Sequence, residues 1–207
     1  MPKDTPTSHY FDTTPGAPST RRTIALTLPD VSVDLVVDRG VFSGERVDPG
    51  TRVLLLDAPV PSSSVADVLD LGCGYGPIAV TLAMRAPHAK VWAVDVNERA
   101  VDLTRENAQR LKLRNLTAVT PEAVPADVRF DLICSNPPVR VGKQRLHALL
   151  RTWLDRLRPE GHAYLVVQKH LGADSLQRWL VEEGWSAERR GSKTGYRLLE
   201  VTSGSRA

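Results

Sequence analysis

The sequence predicts an α/β protein built on a doubly wound, mostly parallel sheet. Three observations carry that prediction. From residue 66 onward, short apolar runs alternate with amphipathic segments, the pattern of strands covered by helices on both faces. The run Val68-Leu69-Asp70-Leu71 leads directly into Gly72-Cys73-Gly74-Tyr75-Gly76, a glycine-rich turn between a strand and a helix. Residues 185–191 and 196–202 close the chain as two β-like runs around a short connection, a hairpin that puts an antiparallel strand at one edge.

The elements follow in order. Residues 1–22 are rich in Pro, Ser and Thr and read as an irregular arm. Residues 23–28 and 31–37 alternate apolar and polar around Pro29-Asp30, the pattern of a β-hairpin. Asp48-Pro49 then supplies a cap and a first helical position for a short helix over the apolar run at 53–56. Residues 1–60 thus form an N-terminal extension packed on the core, and 61–207 the main domain. In that domain the strands are 66–72, 90–96, 115–120, 130–135 and 162–168, plus the final pair, seven in all. A helix follows the glycine turn to about Met84. A second is capped by Asn97 and buries Ala100, Leu103, Ala108 and Leu111 on one face. In a third, Leu146, Leu149, Leu150, Trp153, Leu154 and Leu157 recur at helical spacing, with Pro159-Glu160-Gly161 as the stop. Residues 173–183 form the last helix.

Bulk properties exclude several classes. The chain has 207 residues, 42% apolar and 25% charged, enough for one substantial core. No apolar run approaches the roughly 18 residues of a membrane span, and the first residues lack a secretory apolar segment, so a cytoplasmic protein is expected. The two cysteines, Cys73 and Cys134, have neither disulfide nor zinc spacing and read as buried free thiols; no metal site is expected. A net charge of +3 permits an RNA partner without requiring one.

The glycine turn selects its ligand. A dinucleotide fingerprint is spaced G-x-G-x-x-G, with the pyrophosphate on the helix N-terminus. Here the spacing is G-x-G-x-G, and Asp70 stands two positions before Gly72. A carboxylate there repels a pyrophosphate and attracts a cation, such as the ammonium of an amino-acid tail. Asp95, nineteen residues after Gly76, ends the next strand, where it can accept hydrogen bonds from ribose hydroxyls. A cationic amino acid plus a ribose, with no phosphate, describes S-adenosylmethionine (SAM). Over residues 66–203 the chain resembles the class I SAM-dependent methyltransferases. The resemblance implies a Rossmann-like fold and a cofactor site of Asp70, Gly72, Cys73, Gly74, Gly76, Asp95, Val96, Asn97 and Asn136. After the third strand such enzymes often present an acidic or polar residue to the adenine amine; Glu122 stands nearest that place.

A second motif, Ser135-Asn136-Pro137-Pro138-Val139-Arg140-Val141-Gly142-Lys143, follows the strand at 130–135. Two prolines cannot continue a ladder, so the strand stops and the Asn136 side chain is held at the sheet edge. The exocyclic amine of a base is a poor nucleophile, because its lone pair is delocalised into the ring. The Asn136 side-chain oxygen and the Pro137 carbonyl are suited to accept its N–H groups and aim the lone pair at a methyl group. Catalysis is then orientation plus local electrostatics, with Pro137 and Pro138 as stiffeners.

This motif resembles that of amino methyltransferases acting on adenine N6, guanine N2 or a glutamine amide. Its full form is similar to the bacterial small-subunit rRNA guanine-N2 methyltransferase family and its single-domain relatives. His9-Tyr10-Phe11, residues 38–56 and residues 166–176 extend the resemblance. Two-domain members carry an additional N-terminal domain used in RNA binding; this chain has only its arm and hairpin there. The resemblance implies methylation of guanine N2, with S-adenosylhomocysteine as the second product. It also implies an RNA partner, either small-subunit rRNA or an assembling subunit. Arg140, Lys143, Arg145 and Lys169 are candidates for phosphate contacts, and Val139 and Phe42 for contacts with the base. The alternatives are adenine, glutamine or a small amine as substrate, or a non-catalytic RNA-binding assembly factor. Enzymes that modify adenine or glutamine usually carry an aromatic residue at the place of Val139, and a pure binder need not keep Asp70, Asp95 and Asn136.

Overall fold

The computed structural model describes residues 20–38, 41 and 46–204. Strands β1 (Arg22–Thr27) and β2 (Ser32–Val37) form the expected antiparallel hairpin. Its turn closes with Leu28 N–H donating to the Val31 carbonyl at 2.8 Å, across Pro29-Asp30. Helix α1 (Pro49–Asp57) begins as predicted: Asp48 caps it by accepting from Thr51 N–H at 3.0 Å, and Pro49 takes the first position.

The main sheet contains β3 (Asp67–Leu71), β4 (Lys90–Val94), β5 (Leu116–Val119), β6 (Phe130–Ser135), β7 (Leu157–Gln168), β8 (Ser186–Lys193) and β9 (Tyr196–Thr202). Its spatial order is β5-β4-β3-β6-β7-β9-β8. The first five of these pair in parallel; β9 runs antiparallel to β7, and the edge strand β8 runs antiparallel to β9. Helices α2 (Pro77–Arg85) and α3 (Glu98–Arg110) share one core with the hairpin and α1. Helices α4 (Lys143–Leu154) and α5 (Ala173–Glu182) cover the opposite face. The strand order reverses at β3: β4 and β5 lie on one side of it, β6 and β7 on the other. That reversal opens a crevice at the carboxyl ends of the strands.

Besides its apolar contacts and an Arg85–Asp30 ion pair, the hairpin is fastened to the core by a buried amide. Asn107 of α3 is fully buried; it accepts from Val36 N–H at 2.8 Å and donates to the Val36 and Tyr75 carbonyls at 3.0 and 2.9 Å. Its side chain takes the place of a neighbouring strand for β2.

One boundary differs from the prediction. The helix expected to run through Leu157 ends at Leu154, and Pro159-Glu160-Gly161 lies inside β7. Leu157 pairs with Phe130, and the register then shifts so that His162 opposes Leu132. The intervening residues bulge out of the ladder, which is where a proline is tolerated. A Cβ on Gly161 would lie 2.9 Å from both the Phe130 carbonyl oxygen and Leu157 Cγ, so only glycine lets the bulge close.

Candidate active site

The crevice holds a cavity of about 810 Å³ lined from both predicted motifs. On one wall stand Gly72, Gly74, Asp95 and Asn97; on the other stand Asn136, Pro137, Pro138 and Val139.

The turn after β3 depends on positive backbone angles. Gly72, Gly74 and Gly76 have φ of 79°, 57° and 91°, a region that strains other residues. A Cβ on Gly76 would lie 2.8 Å from Thr104 Cγ2, so α2 and α3 meet closely only over glycine. Gly72 and Cys73 N–H groups both donate to the Val94 carbonyl, at 2.8 and 3.0 Å, tying the turn to the end of β4.

Asp95 completes that wall. It is 5% exposed; one oxygen accepts from Gly74 N–H at 3.0 Å and the other from Asn97 N–H at 2.9 Å. Burial pushes its carboxyl above the usual range, while the N–H bonds from Asn97 and Gly74 pull the other way. Asn97 in turn caps α3, as predicted, by accepting from Arg99 N–H at 3.0 Å.

Asp70 is not on the cleft wall. It is fully buried behind the turn, with one oxygen accepting from Ala79 N–H in the first turn of α2 at 2.9 Å. Its other oxygen has no hydrogen-bond partner. Burial, with the charge of Asp95 adding to it, pushes its carboxyl up to about 8, against the lowering effect of the Ala79 N–H. One carboxylate oxygen thus caps α2, and the other is left for a cation behind the turn. Cys73 is likewise turned inward: it is 3% exposed, its thiol is pushed up by burial, and only its backbone belongs to the turn. Val96 is half-buried and outside the cavity lining. Glu122 is exposed, in a single turn begun by Pro121, and is not among the residues lining the cavity.

On the opposite wall, Ser135 Oγ donates to the Leu71 carbonyl at 2.7 Å and locks the ends of β6 and β3 together. Asn136 follows. Its Nδ2 donates to Asp48 Oδ1 at 2.7 Å and to Thr51 Oγ1 at 3.1 Å. With both amide hydrogens used, the carbonyl Oδ1 is its free acceptor. The Pro137 carbonyl accepts from Val139 N–H at 2.8 Å, leaving one lone pair for another donor.

Arg140 and Arg145 line the mouth of the cleft. Lys143 and Lys169 are exposed and lie outside its lining. Phe42 and His9-Tyr10-Phe11 lie outside the described residues. Asp48, Gln168, Leu171 and Tyr196 line the cavity without having been foreseen there. Asp48 carried a sequence signal, but only as a helix cap.

These residues fit SAM. Gly72 and Gly74, which line the cleft without side chains, admit a ligand close to the backbone, Asp95 offers spare lone pairs at the cleft wall, and the orphaned Asp70 oxygen suits a nearby cation. A family model described as methyltransferase small domain matches residues 32–200. The chain belongs to the methyltransferase small-domain family. The Bacillus subtilis protein YbxB, described as uncharacterized, is 33% identical over 93% of this chain and 97% of its own length. A large-subunit rRNA methyltransferase G from Photobacterium profundum is 34% identical over 71% of this chain but only 41% of that protein. Among solved structures, the T. thermophilus 16S rRNA N2 methyltransferase RsmC in complex with AdoMet and guanosine matches with a TM-score of 0.78 and 27% identity. That match covers 91% of this chain and 52% of RsmC. The chain thus spans about half, or less, of these two rRNA methyltransferases. SAM is the cofactor of the family, and the fold is the Rossmann-like methyltransferase fold.

Proposed function

We propose that the protein transfers the methyl group of SAM to the exocyclic amine of a base, with guanine N2 of small-subunit rRNA as the substrate. The observation that carries this is Asn136, held so that its carbonyl oxygen is a free acceptor across the cleft from the glycine turn. When bound, SAM would supply an electrophilic methyl to the amine nitrogen, with the S–C electron pair left on the departing S-adenosylhomocysteine and the amine proton lost to water. Asn136 Oδ1 and the remaining lone pair of the Pro137 carbonyl accept the two amine hydrogens. They orient the nitrogen and stabilise the positive charge it gains. Asp95 and the glycine turn hold the nucleoside and amino-acid parts of the cofactor, and Asp70 supports the turn from behind. Val139 offers the base an apolar contact. Arg140 and Arg145, with Lys143 and Lys169 further out, attract backbone phosphates. Guanine is favoured over other amines by the likeness to a neighbour solved with guanosine, and by Val139 in place of an aromatic stacker.

The test is transfer of labelled methyl from SAM to purified small subunits, naked rRNA and bulk protein in parallel, followed by nucleoside mass spectrometry. N2-methylguanosine in an RNA lane is the expected result; label in protein alone would overturn the substrate. Asn136→Ala should lower the rate by roughly 10²–10³-fold, with calorimetric SAM affinity unchanged. Asp95→Ala should show the reverse pattern, with weakened SAM binding.

A further inference from the structure

Asn136 is oriented by residues far from it in sequence. Asp48 Oδ1 accepts from Asn136 Nδ2 at 2.7 Å across a separation of 88 residues, and Thr51 Oγ1 accepts from the same nitrogen at 3.1 Å. Asp48 Oδ1 also accepts from Thr51 N–H at 3.0 Å, so one carboxylate oxygen both starts α1 and grips the amide. Thr51 is 4% exposed, which shields its hydroxyl from competing water. The packing around the pair is tight: a Cβ on Gly50 would lie 2.6 Å from the Tyr196 ring and 2.9 Å from Asp48 Oδ1. Glycine at that place lets Tyr196, which lines the cleft, pack against the cap.

The chemistry gives this contact a direction. A primary amide can turn over by half a rotation, exchanging its acceptor oxygen for its donor nitrogen. Turned over, Asn136 would present N–H groups to the N–H groups of an amine, and the lone pair would lose its guide. A carboxylate has no hydrogen to donate, so Asp48 accepts only the nitrogen end of the amide. Thr51 takes its second hydrogen. The oxygen of this cleft-lining amide is then fixed as its free acceptor before any substrate arrives.

We propose that Asp48 and Thr51 are positioning residues that lock the orientation of the Asn136 amide for methyl transfer. This rests on the amine-methylation reading above. The test separates orientation from helix capping. Asp48→Ser keeps a capping oxygen for Thr51 N–H but is too short to hold Asn136, and Thr51→Val keeps shape and removes the hydroxyl acceptor. The double variant should lose about 100-fold in kcat, the scale of an ångström-sized misplacement. KM for SAM and RNA and the melting temperature should stay close to wild type. Asp48→Asn, whose amide oxygen can serve both contacts, should recover most of kcat relative to Asp48→Ser.

A second readout needs no turnover. The side-chain amide resonances of Asn136, identified by their loss in Asn136→Ala, should shift in the double variant of the free protein. Unchanged kcat with unmoved resonances would overturn the proposal, as would a loss of kcat matched by loss of SAM affinity or melting temperature. If the wild type methylates no RNA while the resonances move as expected, the positioning stands and the substrate reading falls.

Discussion

Asp70 shows how a single buried carboxyl links folding to cofactor chemistry. It is fully buried and pushed up to about 8 from an ordinary 3.8, so the folded protein holds a proton that the unfolded chain releases near pH 4. Between those values the folded state binds more protons than the unfolded one. Its contribution to stability is therefore complete below pH 4 and is lost as pH rises through about 8. Asp95, raised in the same direction by burial, adds to the trend. The expected outcome is a cofactor-free melting temperature that falls from about pH 5 to about pH 8. Asp70→Asn keeps an acceptor for Ala79 N–H and cannot ionise, so it should flatten much of that slope. Thermal melts of both proteins across the range check this, and parallel slopes would mean that Asp70 does not hold the proton. Saturating SAM should also flatten the wild-type slope, because a cation near the orphaned oxygen favours the ionised form.

At the scale of elements, Asn107 fastens the hairpin to α3 with three hydrogen bonds, all in the interior. Asn107→Ala leaves one N–H and two carbonyls unpaired, a destabilisation of about 2–4 kcal/mol. Urea unfolding should report it, and hydrogen exchange should show Val36 N–H opening early. If Val36 stays protected, the hairpin is held by its apolar residues and its other ties, such as Arg85–Asp30 and Arg52 to the Thr27 carbonyl. The elements most legible in the sequence are those whose signals are local. Asp48-Pro49 and Asn97 each start a helix where a capping side chain stands, and the glycine turn announces its own geometry. The end of α4 was not legible, because Leu154 and Leu157 keep helical spacing while Leu157 already belongs to a strand. Both are buried, so hydrophobic phase alone does not separate them. The Asp48–Asn136 hydrogen bond was hidden for a different reason. Each partner has a sufficient local explanation, a cap in one case and a strand end in the other. Only the fold brings these residues together.

At the scale of the whole molecule, the sheet order places a partly apolar cleft beside a cationic mouth. Arg140 and Arg145 line that mouth, and Lys143 stands on the same segment at the start of α4. Cations at a helix N-terminus oppose the helix dipole, so their placement favours a function outside the helix. On the proposed reading they meet RNA phosphates and contribute affinity without reading sequence. Replacing Arg140 and Lys143 together by Gln should weaken binding to rRNA at low salt and leave calorimetric SAM affinity unchanged. The slope of log affinity against log salt should become shallower by about 0.7–0.9 for each phosphate that the variant no longer neutralises. Filter binding over a salt series measures it. Because the wild type loses electrostatic attraction as salt rises while the variant has less to lose, the two curves should converge at high salt. Curves that stay parallel would place the RNA on another face. Curves that converge would place RNA phosphates on the basic segment that follows Asn136.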